Sequence, residues 1–357
     1  MTNNLYKPSN SFTVAAFFLM IASTAIVGSL LSFVYLKINQ INPIIYLSIL
    51  CALGYGALLG LIANFFIVKL KLRNPSLAVL AIIIGGLMFT YVKWAVYCNW
   101  DWAKIIEVLC KEANMSESSF YKQFPDAKLD LLYFLGHPKD LWDYIKSVAE
   151  DGRWTIGRRS TTYDSNVRGT FLWIVWIAEA VAIIGVPALM VHNRSSKPFI
   201  ESDDDWALEF KGTFKFSNFN VQSCKTQIIY NPDELFNYPS IIVPEFNLDY
   251  VACTLYHSRL FDECYLTVSQ MKYNPKNKNY NKSDVISYLS ISSGTMNRLF
   301  EHCKVPKPFE SATSADYSTS PTEQSYTSPY SYATSTAYDT PADSQEMKSI
   351  DPDEFFK

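Results

Sequence analysis

Charge is scarce in this chain. Only 18% of its 357 residues are Asp, Glu, Lys or Arg, against about 25% in an ordinary soluble protein. The shortfall argues against a surface that faces water throughout and is the first sign of surface turned toward lipid. A basic excess is missing too. The net charge of −3 supplies no field to hold nucleic acid, so no nucleic-acid partner is expected. Clustered metal ligands are also lacking. The seven cysteines (Cys51, Cys98, Cys110, Cys224, Cys253, Cys264, Cys303) include no C-x-x-C pair, and the four histidines (His137, His192, His257, His302) are scattered. A zinc site needs ligands a few residues apart, so neither a metal nor a cofactor is implied. The odd cysteine total fits no disulfide framework, and the thiols of the C-terminal half suit a reducing compartment. G-x-x-x-x-G-K-[ST], G-x-G-x-x-G, H-E-x-x-H and G-x-S-x-G are absent, so no enzyme class is indicated.

Long uncharged runs are what the chain does have. Residues 12–36, 43–68 and 74–92 contain no charged side chain, and residues 169–191 contain one, Glu179. A membrane-spanning helix needs about 20 mostly apolar residues. Four such runs exceed what the core of a soluble protein this small could bury. The first is too long for a signal-peptide core and has only Lys7 as a basic prelude. The expected fold class is therefore an α-helical membrane protein with four transmembrane helices, a C-terminal soluble α+β domain and a disordered tail. The parts are helices one to three within 1–98 (about 12–36, 43–68 and 74–97), a helical loop subdomain at 99–168, helix four at 169–191, the α+β domain at 198–304, and the tail at 305–357.

The flanks fit a bilayer. Trp94 and Trp100 lie near the end of the third run and Trp173 near the start of the fourth. Together with Arg158, Arg159 and Arg168 they are expected to anchor the helices at the membrane surface. Small residues recur every fourth position: Thr24, Gly28 and Ser32 in the first run, Ala52, Gly56 and Gly60 in the second. Such stripes let backbones approach closely in lipid. Packing within the bundle is the expected use, and a homo-oligomer is the alternative. Lys69, Lys71 and Arg73 crowd the short loop between runs two and three, and Arg194 and Lys197 follow run four. By the positive-inside rule both termini are cytoplasmic, in a multi-pass protein of a bacterial inner membrane. Arg158, Arg159 and Arg168 point the other way, but long loops obey the rule less strictly.

Within the loop, residues 102–113 have helical apolar spacing. Residues 138–150 read as a helix opened by Pro138 and closed by Gly152, with Trp142, Ile145, Val148 and Ala149 as its apolar stripe. In the C-terminal domain, residues 248–257, 263–273 and 284–291 read as strands. Asn231-Pro232 opens a short helix, Asn274–Lys282 is a polar loop, and Ser292 or Ser293 caps a last helix. The acidic run Asp203-Asp204-Asp205 reads as a solvated loop. From Pro308 to Met347 there is no Lys or Arg, and Ser, Thr, Tyr, Pro and Ala dominate; such a segment cannot offset its ordering entropy. Ile350, Phe355 and Phe356 reappear among acids at the end, with the makings of a docking tip.

Glu179 is the ionisable group deepest in an apolar run. It lies about 13 Å in from the loop end of its helix, at a depth Lys93 can reach, so a Lys93–Glu179 pair is expected. Three functions follow from these residues. The leading one is a non-enzymatic membrane anchor or scaffold. Its partners are the bilayer and a protein bound by residues 198–357. The second is a transport or channel component built on Glu179, and the third is a membrane enzyme of unrecognised type. A polar pocket at Glu179 would favour transport, a cleft of convergent Asp, His or Cys would favour catalysis, and a filled bundle would favour the scaffold.

Overall fold

The computed structural model describes residues 4–41, 45–152, 154–155, 166–211, 214–242 and 247–307. The tail, with Ile350, Phe355 and Phe356, lies outside the described residues, as do Arg158 and Arg159.

Among the described residues, four helices are long and apolar enough to cross a membrane: α1 (Val14–Ile41), α2 (Ile45–Leu70), α3 (Pro75–Glu112) and, after three short helices, α7 (Thr170–Ser195). α1 packs along α3 and α2 along α7, while α3 touches α7 and α1 touches α2, which closes a four-helix bundle. The outward faces carry exposed Phe18, Leu30, Leu61, Phe65, Leu87, Ile177, Val181 and Leu189. Inward lie Met20, Leu59, Phe89, Val96, Leu172 and Ile183.

α3 begins sharply. Asn74 accepts a hydrogen bond from the Leu77 amide at 3.0 Å, and Pro75 occupies the first turn, where its missing N–H costs nothing. It then runs 38 residues, about 57 Å. The sequence suggests a helix end near residue 98. None exists, because residues 87–113 hold neither Gly nor Pro to stop a helix. The loop subdomain is therefore built on the protruding half of α3. Around it sit α4 (Glu117–Gln123), α5 (Leu131–Gly136) and α6 (Pro138–Asp151). The Tyr91 hydroxyl donates to the Leu135 carbonyl at 2.9 Å, Trp102 Nε1 to Ala127 at 2.8 Å, and the Tyr144 hydroxyl to Asp101 at 3.0 Å. Residues Leu141, Ile145 and Ala149 form the buried stripe of α6. Trp142, expected in that stripe, is half exposed and packs its ring 5.3 Å from Trp173. β1 (Trp154–Thr155) and β2 (Asn166–Val167) pair before α7.

After α7 comes a hairpin of β3 (Phe199–Ile200) and β4 (Asp205–Trp206). The α+β domain follows. Its antiparallel sheet runs in the order β5 (Leu208–Glu209), β7 (Tyr250–His257), β8 (Cys264–Asn274), β9 (Asn279–Ile291), with β6 (Phe214–Phe216) also on β7. α8 (Val221–Tyr230), a 3₁₀ turn at Pro232–Asn237 and α9 (Ser293–His302) cover one face. The core there joins Val251, Cys253, Leu255, Leu266, Val268, Ile286 and Leu289 to Val221, Ile228, Leu299 and Phe300. Asn220 caps α8, Asn231 caps the 3₁₀ turn and Ser292 caps α9. The stretch read as a polar loop at 274–282 is mostly strand. β8 continues to Asn274, and β9 restarts at Asn279, leaving a tight turn in which Lys278 has φ 49°.

Residues 4–6 complete the sheet. Leu5 bridges Leu289, the Tyr6 amide donates to the Tyr288 carbonyl at 2.8 Å, and the Ser290 amide donates to the Asn4 carbonyl at 2.7 Å. The domain expected from residues 198–304 thus takes a bridging segment that precedes α1.

Candidate functional site

Two constellations of polar groups are built into this architecture. The first lies inside the bundle. Lys93 on α3 donates through Nζ to Glu179 Oε1 on α7 at 2.8 Å, and both residues are buried. Neither bears on water, so each is the other's solvation. Rings fill the space around them. The Lys93 ammonium sits 5.7 Å from the Tyr35 ring centroid and 5.5 Å from that of Trp94, distances at which an aromatic face attracts a cation. Trp94 meets Trp176 at 4.6 Å, one turn before Glu179. Tyr35 stacks on Tyr55 at 5.3 Å. The Tyr55 hydroxyl donates to the Gly28 carbonyl at 2.6 Å and lies 3.1 Å from the Ser32 hydroxyl. A continuous polar and aromatic layer therefore crosses all four helices. Its ingredients from α1 and α2 were missed in the sequence, where Tyr35 and Tyr55 look like any apolar-run tyrosines.

The small residues are spent inside the bundle. A Cβ on Gly28 would come 2.4 Å from the Phe89 ring. A Cβ on Gly85 would come 2.8 Å from the Thr24 side chain and 2.9 Å from the Ile21 carbonyl oxygen. On α2, Gly56 would meet the Ala182 carbonyl oxygen at 2.8 Å, and Gly60 would meet Met190 Sδ at 2.4 Å. Ala52 and Ser32 are fully buried. Of the surface anchors, Trp100 carries the Lys37 ammonium 4.2 Å over its ring, Trp173 bridges Trp142 and Trp176, and Arg168 is exposed. Trp94 is drawn inward to the ion pair instead.

The second constellation joins the α+β domain to the bundle. Arg73 donates to both carboxylate oxygens of Glu201, at 2.6 and 2.5 Å, and Lys71 to Asp204 at 2.5 Å. Arg73 also lies 4.1 Å over the Phe199 ring, Phe199 packs edge-on to Trp206 at 5.5 Å, and Arg194 lies 5.0 Å over Trp206. Cation, ring, ring and cation thus alternate beneath the hairpin. The Tyr6 hydroxyl accepts from the Phe199 amide at 3.1 Å. The aspartate run is not an idle solvated loop: Asp203 accepts from the Arg259 amide at 2.7 Å, and Asp205 pairs with the Arg259 guanidinium at 3.3 Å.

The chemistry of the domain's titratable groups is that of packed structure. Burial pushes the Cys264 thiol up to about 12 and the Cys303 thiol up to about 11, and raises Cys253 further, so none is poised as a thiolate nucleophile. Burial also lowers the His257 pKa, partly offset by its 2.7 Å hydrogen bond to the Ser258 carbonyl and by Asp203. The Ser258 hydroxyl donates to Asp262 and holds that carboxyl below its usual range. Among the described residues no group of three or more His, Cys, Asp or Glu could hold a metal ion.

No protein-family model matches the chain, and neither a curated protein nor a solved structure is significantly similar to it.

Proposed function

We propose that this chain is a membrane-anchored interaction protein. In this reading α1, α2, α3 and α7 cross the bilayer of a bacterial inner membrane. The α+β domain and both termini lie in the cytoplasm, and the domain and tail recruit a protein partner. The observation that carries the reading is the state of the ion pair. Lys93 and Glu179 neutralise each other at 2.8 Å and are packed with aromatic rings, as in an anchor rather than a conduit. The outward apolar faces of the four helices support insertion in lipid. Lys71 and Arg73 support a cytoplasmic domain side even though acids neutralise them, because acidic residues contribute little to the positive-inside bias. The salt-bridged hairpin beneath the domain supports an anchor that holds its cargo domain at a set orientation.

The test uses the full chain in native membranes, with a photo-crosslinking residue placed in turn at the exposed Leu260 and Tyr230. Discrete protein adducts from the domain, with proteoliposomes that pass no ions, are the expected result. Ion flux abolished by Glu179→Gln would overturn it in favour of transport. One observation favours that second reading: Trp176 Nε1, a turn from Glu179, is buried without a hydrogen-bond partner among the described residues.

A further inference from the structure

The sheet has an arm that the core does not need. β8 and β9 run on past the start of β7, whose Tyr250 pairs with Met271. Beyond it stand the rungs Lys272–Asn281, Tyr273–Tyr280 and Asn274–Asn279, closed by the turn. The strands meet the bundle side at Tyr265 and Tyr288, where Tyr6 packs against both rings, and β8 climbs from there for about 30 Å.

The arm is basic. Lys272, Lys276, Lys278 and Lys282 are all exposed, and of these only Lys282 has an ion pair among the described residues, with Asp284 at 3.3 Å. Tyr250, Tyr273 and Tyr280 brace it from within, ring to ring at 5.0 and 5.4 Å. Beside it a groove of about 700 Å³ runs between the first turn of α8 and the arm. Its walls include Asn220 and Gln222 on one side and Gln270, Lys272, Lys282 and Ser283 on the other, with one acid, Asp249, whose carboxylate already accepts from the Tyr273 amide at 2.8 Å. Side-chain amides both donate and accept, which suits the alternating groups of a peptide backbone. Ammonium groups beside them suit carboxylates. β9 is also the terminal strand of its sheet, covered by the N-terminal peptide only near residues 288–290.

We propose that this groove and arm bind an extended acidic segment of a partner protein, its main chain against the amides and its acids against the four lysines. The site rests on the reading of the domain as an interaction module and supplies its partner chemistry. The side-chain amides that line the groove beside the lysines favour a peptide main chain over a lipid surface.

The test is fluorescence anisotropy with the full chain in neutral phosphatidylcholine nanodiscs and a fluorescein-labelled Glu-Thr repeat peptide as the probe. A Lys-Thr repeat and an oligothymidylate of equal length serve as comparators. The Glu-Thr peptide binds, and affinity falls by about tenfold or more when Lys272, Lys276, Lys278 and Lys282 all become Gln. It falls comparably in Ser283→Trp, which fills the groove without changing charge; Gln222→Trp serves if Ser283→Trp lowers Tm. Equal binding by the charge and groove variants, or tighter binding of the oligothymidylate or the Lys-Thr peptide, overturns the proposal. If the peptide fails to bind while crosslinked adducts from Leu260 survive, this site is wrong and the interaction-domain reading stands. Loss of the adducts as well removes both.

Discussion

Lys93 Nζ and Glu179 Oε1, from helices far apart in sequence, meet at 2.8 Å in the interior of the bundle. Replacing Glu179 by Gln strands an ammonium among rings, and replacing Lys93 by Met strands a carboxylate. Hydrogen bonds between membrane helices average about 0.6 kcal/mol in double-mutant cycles, and a stranded charge costs more than that. The expected outcome is that each single variant lowers Tm in detergent and that the double variant recovers much of the loss. Strictly additive losses would show that the two charges do not stabilise each other.

Glycine substitutions rank the helix contacts. Gly56→Ala drives a methyl against the Ala182 backbone oxygen at 2.8 Å, which cannot step aside without moving α7. Gly28→Ala meets the Phe89 ring, a side chain with some freedom to swing. Gly54→Ala meets nothing within 4 Å. Thermal unfolding should therefore show the largest loss for Gly56→Ala, of about 1–3 kcal/mol. Gly28→Ala should fall between, and Gly54→Ala should be neutral or slightly stabilising, since a helical alanine is favoured over glycine. A Gly54→Ala loss as large as that of Gly56→Ala would dismiss the α2–α7 contact.

The link between domain and bundle is testable by charge swap. Glu201→Arg places like charges together at Arg73, and Arg73→Glu combined with it restores the attraction in reverse. Glu201 is mostly exposed, so the pair contributes only about 0.2–1 kcal/mol. Global stability is then a poor reporter and local exchange a good one. Hydrogen exchange at Phe199–Trp206 should quicken in the single variant and return toward wild type in the double one. Raising the salt concentration should quicken it in wild type. No change in any of these would mean that the apolar Phe199–Trp206 contact alone holds the hairpin.

His257 should give the domain a pH-dependent stability. Its folded-state pKa is lowered, chiefly by burial, so the unfolded chain binds the proton more readily. Stability then rises with pH through the ordinary histidine range near about 6.5 and is lost as pH falls below it. The depressed carboxyls of Asp204 and Asp262 act in the same direction but at more acid pH, near and below about 4. His257→Gln should flatten the Tm profile between neutral and mildly acid pH and leave the acid limb intact. An unchanged slope in that variant would assign the dependence to other groups.

The features readable from the sequence are those set by local pattern. Three uncharged runs and a fourth broken only by Glu179 announce four long helices, and the strand-like stretches 248–257 and 263–273 with a short connection announce the central hairpin. Lys93 and Glu179 stand out because a charge within an apolar run has few places to go. What could not be read depends on distant partners. Nothing in Asn4-Leu5-Tyr6 marks a strand; it becomes one because β9 offers an edge there. The acidic run at 203–205 gains its roles only once the loop carrying Lys71 and Arg73 and the turn carrying Arg259 fold beside it. Tyr35 and Tyr55 join the interior layer by the rotation of their helices, which small-residue spacing alone does not determine. The continuity of α3 could have been inferred from the lack of Gly and Pro over residues 87–113, but the polar residues after Cys98 obscured it.

The strand contributed by residues 4–6 has a consequence for biosynthesis. These residues leave the ribosome before any of the helices, yet the edge they complete, at residues 288–290, is made only after all four long helices. At ~5–20 residues per second, the wait is on the order of tens of seconds. Throughout it the N-terminal peptide has no partner strand, and the four helices are synthesised and sorted first. The sheet can therefore close only once β9 has been made, so that a product truncated before β9 lacks the edge on which that peptide folds.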